Sequence, residues 1–305
     1  MRTRLLGLVA AATIVFSQSG CLKAILTNGQ ISATRTASGA MDTVGDFEMA
    51  RSSIAAGLSQ FEGMHRLAPD NTDALFLLTK GWAGYGFAIA EDDMETAIDK
   101  NDEETAAYHK KRARMAYERA VFYGLELLRH TDDGFEKARK NEDTFKKWLT
   151  ENFDDKEDAE ALFWVGYAWL SRVNVAKDEP ALVGDLFIAV DMIEQSVKLN
   201  PEYNHYAGTV ALAAYHARTA MAEMDQSQKL FEDALAKTQH KTLVVQLNYA
   251  TRYACNKGDK ALYEKLVNEV LTADDPDPQQ RFTNMLAKRR ARRALLKSRM
   301  EDCGF

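Results

Sequence analysis

From about residue 46 to the C-terminus, apolar side chains return every three or four residues, with no sustained alternation in steps of two, which restricts the chain to packed amphipathic helices. Ile54, Leu58, Phe61 and Leu67 make one stripe, and Leu75, Leu78 and Trp82 make the next. The pattern resumes at Leu162, Val165 and Trp169, at Leu230, Ala234 and Leu235, and at Leu262, Leu266 and Val270. Stop signals interrupt it at Ala68-Pro69-Asp70-Asn71, Thr131-Asp132-Asp133-Gly134, Asn200-Pro201, Asn256-Lys257-Gly258-Asp259 and Asp274-Asp275-Pro276. The five prolines stand at such junctions or at helix starts, where a missing amide costs nothing. The expected fold class is all-α, with about twelve helices.

The segments also resemble one another. Arg66-Leu67-Ala68-Pro69-Asp70 and Lys198-Leu199-Asn200-Pro201-Glu202 both end an apolar helix with a basic residue, Leu, Pro and an acid, and their prolines lie 132 residues apart. That is close to four units of the ~34-residue tetratricopeptide repeat. Leu162, Val165, Gly166 and Trp169 fit the first helix of that unit, and Ser227, Phe231 and Ala234 fit the second. The small residue lets two helices approach and the large one fills the facing groove. One hairpin cannot bury its own apolar face, so neighbours must stack. The expectation is an irregular α-solenoid of tetratricopeptide-like helical hairpins over 46–305, with the stretch from about 89 to 155 outside the period.

The N-terminus reads as a separate module. Arg2 and Arg4 precede a twelve-residue apolar run, Leu5 to Phe16. A spanning helix needs about 20 apolar residues, so the run reads as a signal-peptide core. It leads into Gln18-Ser19-Gly20-Cys21, a lipobox-like end that marks Cys21 for lipidation. The domain plan is a leader at 1–20, a tether with an N-terminal helix at 21–45, and the helical domain beyond. Loss of the leader removes two arginines and no acid, which takes the net charge from −6 to −8. An acidic chain repels phosphate backbones, so nucleic acid is not an expected partner. Cys255 and Cys303 remain, free to pair or not in an oxidising compartment.

Few constellations could carry chemistry. No Cys-x2-Cys, Gly-x-Ser-x-Gly, Walker-type loop or His-Glu-x2-His occurs, and the expectation is no enzyme and no cofactor. Glu62…His65 and Glu202…His205 have the Glu-x2-His spacing of di-iron bundles, but one ends a helix and the other starts one, so no metal is expected. His205 and His216 fall on one face of the same expected helix, about 16 Å apart, too far to share an ion. The acidic run Glu91, Asp92, Asp93, Glu95, Asp99, Asp102, Glu103, Glu104 lacks the spacing and glycine of a Ca²⁺ loop and reads as a solvated helix end, the alternative being a dock for a basic partner. The basic run Lys288-Arg289-Arg290-Ala291-Arg292-Arg293 reads as a solvated capping helix or a contact for an acidic partner.

In stacked hairpins the first helix of each unit lines the inner surface. That register points Phe76 and Lys80, Phe163 and Tyr167, Leu212, Tyr215 and His216, and Val244, Asn248 and Arg252 inward. The set mixes aromatics with cations and suits a ligand with an apolar body and an anionic head. Trp82, Trp164 and Trp169 read as core. Gly81, Gly84 and Gly86 serve either close helix packing or a ligand channel beside Tyr85 and Phe87.

Taken together, Leu67-Ala68-Pro69-Asp70-Asn71, Gly81-Trp82-Ala83-Gly84-Tyr85-Gly86-Phe87-Ala88, Glu91-Asp92-Asp93 and Arg119-Ala120-Val121-Phe122-Tyr123-Gly124-Leu125-Glu126-Leu127-Leu128 resemble the T component associated with TRAP transporters, the TatT family. The helix from Phe163 to Trp169 and Leu199-Asn200-Pro201 extend the likeness, which runs from about residue 22 to 297. The resemblance implies a periplasmic lipoprotein that forms trimers with a pore or hydrophobic chamber in each subunit. It also implies a TRAP-type solute-binding protein as partner, and a hydrophobic or organic-anion solute. The competing reading is a helical scaffold for envelope assembly with no small-molecule ligand.

Overall fold

The computed structural model describes residues 24–218 and 223–305. The expected leader, 1–20, and Cys21 lie outside the described residues. Among those described there is no strand, and no helix is long and apolar enough to cross a membrane.

Residues 24–37 form α1, which passes into a 3₁₀ turn, Ser38–Thr43. Then come α2 (Phe47–Leu67) and α3 (Thr72–Tyr85), which continues through a π-helical segment (Gly86–Ala90) into α4 (Glu91–Ile98). The middle of the chain holds α5 (Glu103–Arg129), α6 (Phe135–Ala138), α7 (Glu142–Asn152), α8 (Asp158–Val175), α9 (Pro180–Gly184) and α10 (Leu186–Leu199). Next are α11 (Ala207–His216), α12 (Met224–Thr238) and α13 (Leu243–Asn248), which runs through a second π segment (Tyr249–Ala254) into α14 (Cys255–Lys257). The chain ends with α15 (Lys260–Thr272), α16 (Arg281–Ala294) and α17 (Lys297–Asp302). With the short α6, α9 and α14 set aside, fourteen helices remain among the described residues, close to the twelve expected.

Two of the junctions read in the sequence, at Asn71 and Asp259, carry side-chain caps that start helices, and α5 begins on a cap of the same kind. Asn71 accepts from the Ala74 amide at 2.9 Å, Asp259 from Leu262 at 3.0 Å, and Asp102 from Thr105 at 3.0 Å. Each side chain satisfies an amide that a helix leaves unpaired at its N-terminus. Gly258 turns the chain at φ +71°, a conformation that favours glycine.

Packing follows chain order. The α3 helix lies against α2 and α5, α8 against α5 and α10, α11 against α10 and α12, and the second π segment against α12 and α15. Gly166 allows the close approach its place in the repeat predicts, and Gly124 allows another. A Cβ on Gly166 would stand 3.0 Å from the Ala189 carbonyl oxygen and 2.9 Å from Ile193, and one on Gly124 would stand 2.7 Å from Val165. One core gathers Phe135, Phe145, Trp148 and Trp169; a second gathers Phe231, Tyr249, Tyr253 and Tyr263. Trp169 is buried as expected, whereas Trp82 and Trp164 are half-buried and use their indole N–H on Glu62 and on Tyr203, each at 2.9 Å.

The array closes on itself. The α16 helix packs on α13 and α15 and also returns to α2 and the first 3₁₀ turn. The two charge runs make this closure, so their reading as solvated ends is corrected. Arg293 reaches Asp92 at 2.8 Å, Glu95 at 2.6 Å and Asp99 at 3.4 Å, while Arg289 holds Asp92 at 2.7 Å and Arg299 holds Asp99 at 2.7 Å. Asp92 is fully buried. Acids at i, i+3 and i+7 meet basic residues on one stripe of a distant helix, which no local pattern displays. A disulfide between Cys255 and Cys303 ties the C-terminal segment to α14.

Candidate functional site

Two π segments, Gly86–Ala90 and Tyr249–Ala254, interrupt otherwise regular helices. Single wide turns of this kind are rare and recur at functional sites. The first carries Phe87 and the second carries Arg252.

Phe87 begins a line of rings. It meets Tyr167 edge-on at 6.2 Å, Tyr167 stacks on Phe163 at 5.8 Å, and Phe163 meets Tyr203 at 5.7 Å. Such contacts use the ring quadrupole as well as area. The Arg290 guanidinium lies over Phe87 at 4.0 Å and donates to its carbonyl oxygen at 2.7 Å. The same guanidinium faces Glu91 at 3.8 Å and Glu95 at 3.7 Å. Burial raises the Glu91 carboxyl pKa, against the pull of Arg290 and a hydrogen bond donated by the Tyr117 hydroxyl. Burial likewise raises the Tyr167 phenol, so it stays a neutral donor.

Arg252 differs from Arg290. It is exposed and makes no ion pair with a described residue, yet its charge acts on Glu91, Glu95, Tyr167 and Lys177. Lys177 is exposed too, and its ammonium pKa is lowered by burial and then by Arg252. The far end of the ring line carries a different charge pattern. There Lys80 lies 5.6 Å from the Trp164 ring, and burial raises the Asp42 carboxyl against Lys80 and His205.

Of the residues chosen from sequence, Phe87, Phe163 and Tyr167 come together, with Arg252 beside them and Lys80 at the other end. Phe76 is buried under the Arg35 guanidinium, 4.1 Å away, which also pairs with Asp73 and Glu160. Tyr85 turns to Arg112 on α5. Leu212 and Tyr215 pack with Val190 and Ile193 between α10 and α11. Asn248 donates to the Val244 carbonyl of its own helix at 2.8 Å. Val244 packs on the C-terminal core, and His216 pairs with Glu223 at 2.6 Å. The shared helix expected for His205 and His216 does not exist. Asn204, His205 and Tyr206 have φ of +48°, +55° and +64°, and α11 starts only at Ala207.

Sequence reasoning missed Glu91, Lys177, Tyr203 and Arg290. The matched spacing of the acidic and basic runs was the one signal available for Glu91 and Arg290. The three glycines separate by role. A Cβ on Gly86 would meet the Tyr117 ring at 2.7 Å and one on Gly81 would meet Leu58 at 3.0 Å, whereas nothing lies within 4 Å at Gly84. Glu62 serves Trp82, Arg119 and Tyr123, and among the described residues no three His, Cys, Asp or Glu side chains converge as metal ligands.

These features define a class, an all-α protein whose successive helices pack on one another and are clasped by buried charge, with a line of aromatic rings near exposed cations. The chain belongs to the TRAP transporter T-component family, whose model matches residues 43–302. It is thus an accessory component of TRAP transport. No curated protein matches the chain.

Proposed function

We propose that the protein is a periplasmic lipoprotein, anchored through Cys21, that engages the solute-binding component of its TRAP system and takes an organic anion with an apolar body against its inner wall. The observation that carries this reading is the ring line Phe87–Tyr167–Phe163, whose Tyr167 lies within electrostatic reach of an exposed Arg252 that makes no ion pair with a described residue. An apolar ligand body packs on the rings, and its carboxylate takes the Arg252 guanidinium in a charge-assisted bond. Subunits assembling as trimers would set several such walls side by side.

The test uses full-length protein extracted from its own membranes. Native mass spectrometry is expected to show a retained organic acid that Arg252→Ala loses, and the solute-binding protein is expected to co-purify. Wild-type protein that carries no small molecule and retains no solute-binding protein overturns the proposal.

A further inference from the structure

A cavity lies apart from the ring line, between α7, α10 and the end of α11, with a volume of about 300 Å³. Its lining holds four carboxylates (Glu142, Asp191, Glu194 and Glu223) against two cations, Lys146 and Arg218. Asp191 is the unusual member. Its side chain is 2% exposed, Oδ1 faces the Lys146 ammonium at 3.4 Å, and Oδ2 has no hydrogen-bond partner among the described residues. A buried carboxylate oxygen without a donor is costly, and native folds rarely leave one.

The surrounding groups are already committed. Lys146 is held by Glu142 at 2.6 Å, and Arg218 lies flat on the Tyr215 ring at 3.7 Å while donating to its carbonyl oxygen. Glu223 is fixed by His216 Nδ1 at 2.6 Å, and Gln226 stands 2.9 Å from the other imidazole nitrogen. A neutral imidazole with its proton on Nδ1 satisfies both contacts. Two acceptors with no ion pair to a described residue, or with one lone-pair face free, remain beside Asp191: Glu194 and the outer side of Glu223.

The excess of carboxylates repels anions, and no three metal-ligating side chains converge among the described residues. Lys146 shows what Asp191 accepts: an ammonium on an alkyl stem. The three donors of an ammonium match three carboxylate acceptors, and Phe187 and Val190 offer apolar surface for methylenes. We propose that this cavity binds a primary alkylammonium group, with Asp191, Glu194 and Glu223 as its acceptors. The group arrives either on a free diamine or as a lysine side chain of a bound protein.

Titration calorimetry on the full chain tests it with 1,5-diaminopentane, with N-acetyl-lysine methylamide, and with N-acetyl-norleucine methylamide as the uncharged control. Saturable binding of at least one ammonium probe is expected, with none for the control. Asp191→Asn and Glu194→Gln are each expected to weaken it tenfold or more, thermal unfolding confirming that both variants fold. The exposed setting of Glu194 keeps the test valid if the buried variant unfolds. A tighter diamine points to a free ligand; an equal or tighter capped lysine points to a partner's side chain. Equal binding of the control, no binding of either ammonium, or unchanged affinity in folded variants overturns the site.

Discussion

Glu62 carries three bonds that the sequence does not announce. Burial pushes its carboxyl up, but hydrogen bonds from Arg119, Tyr123 and Trp82 hold it at about 2, well below an ordinary glutamate. Because the folded pKa is depressed, its contribution is present above the unfolded pKa and is lost as pH falls from 4.5 towards 2. Glu62→Gln is expected to cost about 1 kcal/mol at pH 7, since the Arg119 contact is partly solvent-screened. The gap should narrow in denaturant melts as pH falls below 4.5 and close only as it nears 2. Asp191 is the opposite case. Burial raises its carboxyl to about 6 despite Lys146, so its charge destabilises the fold above that pH, and the penalty vanishes as pH falls through 6 towards 3.8. Asp191→Asn is expected to gain about 1–3 kcal/mol at pH 8 and almost nothing at pH 4.

Helices meet in this protein where glycine permits it, and the consequence differs by position. At Gly166 the added methyl would press on a backbone oxygen of α10 that cannot rotate away. Gly166→Ala is expected to destabilise by about 1–3 kcal/mol in urea unfolding. Gly84→Ala meets open space and a helical backbone, so a gain of about 0.5–1 kcal/mol is expected from the same measurement. A helical period marks both glycines as interior to a helix and says nothing about what stands opposite. The two π segments are equally silent in sequence, because one wide turn leaves the three-to-four periodicity almost intact. Phe87 was legible as a channel candidate only through the cluster of Gly81, Gly84 and Gly86 around it.

At the scale of the whole molecule, the clasp between α4 and α16 decides whether the hairpin array is open or closed. Arg293 is 14% exposed and serves three carboxylates, one of them fully buried. Arg293→Ala strands those charges and is expected to cost about 3–5 kcal/mol, with faster amide exchange across α16 and α17 than elsewhere. The disulfide acts on the same end of the chain. Replacing both Cys255 and Cys303 with Ser releases a loop closure of 48 residues, an expected loss of about 2–4 kcal/mol in thermal melts.

Periodicity, caps and the small-to-large spacing at Gly166 and Trp169 were enough to determine the all-α class and the helix starts after Asn71 and Asp259, because each is a relation between near neighbours along the chain. The resemblance carried by Leu67–Asn71 and Gly81–Ala88 was likewise a matter of local order. Which inward residues stand together was settled elsewhere. Phe76 and Tyr85 had the same helical credentials as Phe163 and Tyr167, yet Arg35 and Arg112 engage the first two. The partners of Asp92 and Glu91 lie some two hundred residues away, beyond any local rule. Charge pairing across such distances depends on how the stacked hairpins curve back, and that curvature is the sum of every helix contact in the molecule.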